Sequence, residues 1–187
     1  MPLPEGFSSD GLLPAGNYTL TLEDLRASWL VGGPVHGDYP RWDREWRARL
    51  VGNLSVLVPQ LWKVGVTEIF IDGSFVEDKD HPNDIDGYFV CDLRRFASGD
   101  LARDLNLLDP QKCWTWDPEQ RRPHRGYPKK QLPMWHQYRV ELYPHLFAGQ
   151  PSGMRDRFGN ELEFPSAFRL SRRDGKPRGI IKIGGGP

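Results

Sequence analysis

Two apolar segments joined by a turn-forming stretch dominate the middle of this chain. The segment IFID (69–72) is followed directly by Gly73 and Ser74, and residues 75–83 then lead to a second apolar segment that begins at Asp84. Because side chains alternate along a strand, Asp84 and Asp86 would leave the second strand on the same face. We therefore expect two strands, 66–72 and 84–90, that bring both carboxylates close to the Gly-Ser turn.

The residues at this junction have the chemistry of a metal and phosphate site. A glycine lets the backbone approach a ligand closely, and a serine beside it adds a hydroxyl and an amide that can hold phosphate oxygens. Two carboxylates on one face repel each other unless a divalent cation lies between them, and oxygen ligands suit Mg²⁺. Such a pair can hold one or two ions, and a two-ion site stabilises the attacking and leaving oxygens of a phosphoryl-type displacement. The alternative is an ordinary solvated β-turn with surface aspartates.

The pattern Gly73-Ser74, an intervening stretch and then Asp84-Ile85-Asp86 resembles the signature of the nucleotidyltransferase superfamily of the polymerase-beta type, particularly its minimal nucleotidyltransferases. The wider context is similar to an uncharacterised bacterial family of nucleotidyltransferase-like proteins. That wider likeness rests on GLLPAGNYTLTLEDL near the start, on IFIDGSF and on the GIIKI ending. The resemblance implies an α+β (mixed α/β) fold with a small mixed sheet that carries the site on one face and helices on the other.

A third carboxylate is implied by the resemblance, since the superfamily has one on a later strand that completes the metal site and can help accept a proton. The segment QYRVELY (137–143) alternates polar and apolar residues, which predicts a strand. Glu141 on that strand is our candidate. Its alternative role is to pair with a neighbouring basic residue. The long separation from Asp86 implies that residues 92–136 form an insertion.

The activity implied by the resemblance is Mg²⁺-dependent transfer of a nucleoside monophosphate from an NTP to an acceptor hydroxyl on RNA or tRNA, a protein or a small molecule. Asp84, Asp86 and Glu141 would be the catalytic and metal-binding residues, with two Mg²⁺ ions expected and Mn²⁺ as a substitute. Gly73, Ser74, Arg172 and Lys176 would bind the nucleotide. A toxin of a toxin–antitoxin or phage-defence system, with an antitoxin partner, also follows from the resemblance.

Other classes of function are compatible with the same residues. A catalytically inactive protein with this fold could bind protein or RNA. Gly87 favours this alternative, because a larger apolar residue is expected at that position of the strand. A metal-dependent phosphohydrolase would share the aspartates but lacks an evident histidine cluster. Cys113 with His124 or His136 matches no standard spacing of zinc ligands.

Charge and cysteine content restrict the class of protein. The 25 basic and 25 acidic residues give a formal net charge of zero, so any binding of nucleic acid must be local. The two cysteines form no disulfide framework, which favours a reduced, cytoplasmic setting. We expect neither a signal peptide nor a membrane span.

The chain length of 187 residues predicts a single domain. Residues 1–18 read as an extended arm, 19–183 as the nucleotidyltransferase-like domain and 184–187 as a flexible tail. Helices are expected at about 22–30, where Thr21 and Asp24 form a capping box, and from Arg41 to Lys63, where large apolar residues recur at helical spacing. Helical pieces broken near Ser98-Gly99 are expected within 92–108.

Two basic regions have more than one interpretation. Residues 109–133 mix cations with Trp114, Trp116 and Tyr127, a composition suited to single-stranded nucleic acid or to an NTP; a solvated loop anchored by its aromatic residues is the alternative. The segment SRRDGKPRGIIKI contains a strong Asp174-Gly175 turn signal. Its cations could neutralise a triphosphate or RNA, or protect a hairpin edge from aggregation.

Overall fold

The computed structural model describes residues 1–37, 39–156 and 158–186. A five-stranded mixed sheet with the order β1-β7-β2-β3-β4 lies at its centre. The pairs β1–β7 and β3–β4 are parallel, whereas β2 is antiparallel to both of its neighbours. The strands of this sheet are β1 (Asn17–Leu20), β2 (Ile69–Asp72), β3 (Ile85–Val90), β4 (Val140–His145) and β7 (Ile180–Ile183). The predicted mixed α/β class with a small mixed sheet is confirmed.

Helices connect these strands, and a short hairpin forms a second sheet. The hairpin strands are β5 (Pro151–Arg155) and β6 (Glu161–Glu163), which pair antiparallel. The helices are α1 (Leu22–Ala27), α2 (Trp29–Gly32), α3 (Arg44–Lys63), α4 (Leu93–Ala97), α5 (Asp100–Leu108) and α6 (Pro133–Tyr138). Helices α4 to α6 lie in the crossover that links the parallel strands β3 and β4, because a parallel pair needs a long connection. No helix among the described residues is long and apolar enough to cross a membrane.

The core lies between the long helix α3 and one face of the sheet. Leu50, Leu54, Leu57 and Leu61 of α3 are fully buried in one cluster with apolar residues of β2, β3 and β4. The strand residues that share this cluster are Ile69, Ile71, Ile85, Phe89, Val140 and Leu142. Because side chains alternate along each strand, the residues between them project from the opposite face. That opposite face carries the candidate site.

The helix boundaries differ from the sequence prediction in two places. The single helix expected at 22–30 is divided at Ser28, whose extended backbone (φ −71°, ψ 162°) ends α1 and begins α2. The capping box of Thr21 and Asp24 is confirmed. Helix α3 begins at Arg44 rather than Arg41, because the Asp43 side chain accepts a hydrogen bond from the Trp46 amide and so caps the helix there.

The predicted strands also differ in extent. The strand expected from Gln137 begins at Val140, since residues 133–138 form α6 and Arg139 leaves that helix with a left-handed backbone (φ 53°). The turn at Asp174-Gly175 does not form a full hairpin. Its flanking residues meet in an isolated bridge between Leu170 and Pro177, and β7 pairs instead with β1 and β2. The break near Ser98-Gly99 is confirmed, with Gly99 in a left-handed conformation (φ 77°).

The N-terminal segment packs against the turn that follows β2. The Leu13 amide donates to the Val76 carbonyl at 3.0 Å, and the Gly179 amide donates to the Leu13 carbonyl at 2.8 Å. Leu12 and Leu13 are both buried. The predicted arm therefore links the Gly-Ser turn to the start of β7, and its last two residues, Asn17 and Tyr18, begin β1.

Candidate functional site

Three carboxylates form a row across neighbouring strands. Asp72 of β2 is the register partner of Asp86 of β3, which is in turn the register partner of Glu141 of β4. Register partners project from the same face of a sheet, about 4.5–5.5 Å apart. Asp84 lies two residues before Asp86 and therefore on that face as well. We call Asp72, Asp84, Asp86 and Glu141 the acidic row. The sequence prediction that Asp84, Asp86 and Glu141 lie together agrees with this placement.

These carboxylates line one large cavity. Its volume is about 1060 Å³, and its wall also includes Gly73, Ser74 and Arg172. Lys176, the remaining predicted nucleotide-binding residue, is outside the wall, where its ammonium pairs with the Asp10 carboxylate. The structure therefore brings Asp84, Asp86, Glu141, Gly73, Ser74 and Arg172 together, and it does not bring Lys176 to them.

Burial, and after it repulsion between neighbouring carboxylates, raises the pKa of both Asp84 and Asp86. Burial and the nearby Asp84 carboxylate raise the pKa of Asp86 well above its usual range, and the Arg172 guanidinium opposes that shift. Burial also raises the pKa of Asp84, and the Glu141 charge adds to the effect. The Trp135 indole N–H donates to Asp84 Oδ2 at 2.6 Å and favours the charged form. A cation held between such carboxylates would offset their repulsion.

Glu141 is held by hydrogen bonds within the protein. Its Oε1 accepts from the Leu132 amide at 3.0 Å, and its Oε2 accepts from the Tyr143 hydroxyl. Arg121 Nη1 is 3.8 Å from Oε1. In the described part of the chain, no three His, Cys, Asp or Glu side chains are arranged to hold a metal ion. Asp84 and Asp86 fit a hard divalent cation by donor type, whereas both oxygens of Glu141 are engaged by these partners.

The Gly-Ser turn is shaped around Asp86. Residues Gly73–Val76 form a 3₁₀ turn directly after β2, and Gly73 has φ +77°, a conformation that favours glycine. A Cβ at Gly73 would lie 2.4 Å from Asp86 Oδ2. Glycine is therefore required both by the backbone and by the carboxylate beside it, and the turn backbone lies against the acidic row.

Gly87 has a structural explanation too. A Cβ there would lie 2.3 Å from the Phe70 carbonyl oxygen and 3.2 Å from the Ile71 Cα, both on the neighbouring strand β2. The residue after Asp86 is consequently a glycine because β2 approaches it too closely for a side chain. Its presence therefore gives no reason to regard the site as degenerate.

Asp72 was not singled out in the sequence, although it lies beside the Gly-Ser turn. It is fully buried, its Oδ2 accepts from Arg178 Nη2 at 2.8 Å, and its Oδ1 has no hydrogen-bond partner among the described residues. Burial raises the pKa of Asp72 to about 7, against the effect of the Arg178 charge. Arg178 also donates to the Glu77 carboxylate and, at 3.4 Å, to the Gly73 carbonyl. This buried ion-pair network ties the Gly-Ser turn to the start of β7.

Arg47 supports the same turn from the core side. Its guanidinium donates to the carbonyls of Leu30, Phe75, Glu77 and Lys79 at 2.7–3.2 Å. It also stacks on Trp42, with 3.7 Å between the guanidinium carbon and the ring centroid. Burial lowers the pKa of Arg47 to about 9. A buried arginine thus satisfies the carbonyls of a segment that lies outside the strands of the sheet.

Comparison with curated proteins and with solved structures gives no match. One protein-family model matches residues 5–184, which include every element of the central sheet and the whole acidic row. The chain therefore belongs to DUF6932, a family of unknown function.

Proposed function

We propose that this protein is a Mg²⁺-dependent nucleotidyltransferase that transfers a nucleoside monophosphate from an NTP to an acceptor hydroxyl and releases pyrophosphate. The observation that carries the proposal is that Asp84, Asp86 and Glu141 share one cavity with the Gly73-Ser74 turn and Arg172. The likeness of the Gly-Ser and Asp-x-Asp spacing to the nucleotidyltransferase superfamily supports it independently.

The chain's own residues have distinct roles in this proposal. The Gly73-Ser74 backbone and the Ser74 hydroxyl hold phosphate oxygens of the NTP, and the Arg172 guanidinium adds positive charge to the lining of the same cavity. Asp84 and Asp86 would hold Mg²⁺, with Glu141 as a third ligand; Mn²⁺ could substitute, and two ions are expected. When bound, the metal supplies neutralisation of phosphate charge and orientation of the reacting oxygens.

The proposed transfer is a single displacement that needs no protein nucleophile. The acceptor hydroxyl oxygen bonds to the α-phosphorus, the bond from that phosphorus to the oxygen that bridges to the β-phosphate breaks, and pyrophosphate leaves with the bonding electrons. The hydroxyl proton passes to a carboxylate of the row or to water in the cavity. Catalysis then rests on positioning and charge stabilisation.

A labelled-nucleotide experiment tests the proposal. Each NTP carrying a label on the α-phosphate is incubated with Mg²⁺, the protein and either total RNA or cell lysate. We expect the label to enter an acceptor, and the same NTP labelled on the γ-phosphate to transfer none. Asp84→Asn and Asp86→Asn should each lower transfer about a thousandfold. Equal transfer by parent and variants, or transfer of the γ-label, would contradict the proposal.

The arrangement of Glu141 favours a second candidate, a catalytically inactive protein with the same fold that binds RNA or protein. Both oxygens of this carboxylate are occupied, by the Leu132 amide and the Tyr143 hydroxyl. Nucleotide binding separates the two candidates, because the inactive protein would show no Mg²⁺-dependent affinity for any NTP. By resemblance alone, the enzyme would act as a cytoplasmic toxin with an antitoxin partner.

A further inference from the structure

A basic loop forms one wall of the cavity. No acidic residue occurs between positions 120 and 140, although acidic and basic residues balance in the chain as a whole. Within this stretch Arg122, Arg125, Lys129 and Lys130 are exposed. Their side chains make no hydrogen bond or ion pair with any residue that the structure describes. We call residues 121–131 the basic loop.

Three cations of the segment 173–178 are instead paired within the protein. Arg173 pairs with Asp78 at 3.1 Å, Arg178 pairs with Asp72 at 2.8 Å, and Lys176 pairs with Asp10. Their charges are therefore largely neutralised within the protein. Among the described residues that line the cavity, the cations without a partner are Lys129 and Lys130 of the basic loop together with Lys79 and Arg172. The basic loop adds exposed Arg122 and Arg125 beside them, so it carries the largest group of unpaired cations that could attract a large anion.

The basic loop is fixed in position and leads to the carboxylates. Arg122 and Gln131 exchange two backbone hydrogen bonds of 2.8 Å, which close the loop at its base. Tyr127 packs edge-on against Trp135, with ring centroids 4.8 Å apart. The same Trp135 donates to Asp84. Tyr127, Lys129 and Lys130 line the cavity together with Asp84, so a ligand held on the loop lies next to the acidic row.

We infer that the basic loop binds a single-stranded nucleic acid whose hydroxyl is the acceptor in the proposed transfer. Unpaired cations that follow a chain of phosphates, with aromatic rings among them, are the usual means of holding single strands. The carboxylates line a cavity of about 1060 Å³, which can admit the end of a flexible strand more readily than a duplex. This inference deepens the proposed function and rests on it for the role of the strand as acceptor.

Strand binding can be measured without NTP or Mg²⁺, and so independently of transfer. The probe is a short fluorescent single-stranded RNA of mixed sequence, with the matching DNA as a second arm, and the readout is fluorescence anisotropy over a series of salt concentrations. The Lys129→Ala/Lys130→Ala variant should bind about tenfold more weakly or worse. Its slope of log affinity against log salt should be smaller by roughly 0.7 for each phosphate that the variant no longer neutralises.

A matched control removes the same charge elsewhere. Lys63 and Arg94 are exposed, make no side-chain bond with the described residues and lie near the end of β3 opposite Asp84. The Lys63→Ala/Arg94→Ala variant should bind the strand as the parent does. A second loop variant, Arg122→Ala/Arg125→Ala, should weaken binding as the lysine variant does, so that the conclusion does not depend on one pair.

The outcomes are distinct. Failure of the parent to bind either strand at low salt overturns the inference, as does an equal loss in the control variant. Competition by polyglutamate as strong as competition by unlabelled strand also overturns it, because that result indicates an acidic protein partner. Strand binding without transfer from any NTP supports the basic loop as a binding surface and contradicts the proposed function. Transfer to a protein or small molecule without strand binding contradicts this inference alone.

Discussion

Gly73 and Asp86 are in such close contact that a single methyl group between them would collide with the carboxylate. The Cβ of an alanine at position 73 would lie 2.4 Å from Asp86 Oδ2. Because the turn and the carboxylate define each other's position, the phosphate-binding backbone and the metal-binding side chain of the proposed site form one structural unit.

The first prediction concerns Gly73→Ala. The positive φ alone should cost about 1–2 kcal/mol of unfolding free energy, and the collision should add to it. Gly99→Ala is the matched control, since Gly99 has the same φ of +77° but no described atom within 4 Å of its Cβ position. We expect Gly99→Ala to lose stability and keep nucleotidyl transfer, whereas Gly73→Ala loses both. Urea denaturation and the transfer assay measure these effects; identical behaviour of the two variants would refute the coupling.

The second prediction is that Asp86→Asn raises the stability of the protein although it lowers nucleotidyl transfer. Asp86→Asn removes the cost of burying this carboxylate and its repulsion by Asp84. Without divalent cations at neutral pH the variant should therefore be more stable than the parent by about 1 kcal/mol, a rise in Tm of roughly 2–4 °C. Added Mg²⁺ should raise the Tm of the parent and not that of the variant. Glu119→Gln removes one charge from an exposed position and should change neither quantity. A lower Tm for Asp86→Asn would argue against repulsion in the row.

The third prediction concerns the pH dependence of stability. Burial raises the pKa of Asp72 to about 7 in the folded protein, whereas an unfolded aspartate titrates near pH ~3.9. The unfolded chain releases this proton first, so the contribution of Asp72 to the unfolding free energy falls as pH rises from about 4 to about 7. Asp72→Asn should flatten that part of the profile. Urea denaturation at several pH values provides the test, and an unchanged slope would show that Asp72 does not titrate in this range.

Arg178 provides a companion experiment. Arg178→Met leaves the Asp72 carboxylate buried without its cation, which should cost about 3–5 kcal/mol. Adding Asp72→Asn should restore part of that loss, because the uncompensated charge is removed. Additive losses in the double variant would mean that the two side chains do not interact energetically.

The fourth prediction is that Arg47→Lys destabilises the protein by about 2–4 kcal/mol. A lysine has one side-chain nitrogen and cannot satisfy the carbonyls of Leu30, Phe75 and Lys79 that the guanidinium now bonds. Arg49→Lys is the control, since Arg49 follows shortly after on the same helix but is exposed. Chemical denaturation should show a large loss for position 47 and a change within about 0.5 kcal/mol for position 49.

The local parts of the site were predictable from the sequence. Alternation along one strand predicts that Asp84 and Asp86 share a face, and the Gly-Ser pair marks the turn next to them. Glu141 was identified through a family resemblance and a strand pattern, and it is the register partner of Asp86. These features depend on short-range geometry, which a sequence pattern records directly.

The parts that were missed depend on long-range pairing. Asp72 ends an apolar strand directly before Gly73, and this position indicates a residue of the site. Its pairing with Arg178 could not be predicted, because it requires that β7 add to the sheet beside β2. The pairing of Lys176 with Asp10 likewise depends on how the N-terminal segment folds back. A cation in the sequence cannot be assigned to a ligand or to an internal partner until such contacts are known.

The most direct test of the central claim is the position of a bound metal, because it requires no knowledge of the acceptor. A crystal of the protein grown with Mn²⁺ and a non-hydrolysable NTP analogue gives an anomalous signal from the ion. We predict a peak about 2.0–2.2 Å from oxygens of both Asp84 and Asp86, with the triphosphate against Gly73 and Ser74. A nucleotide bound with its metal away from these aspartates would contradict the account.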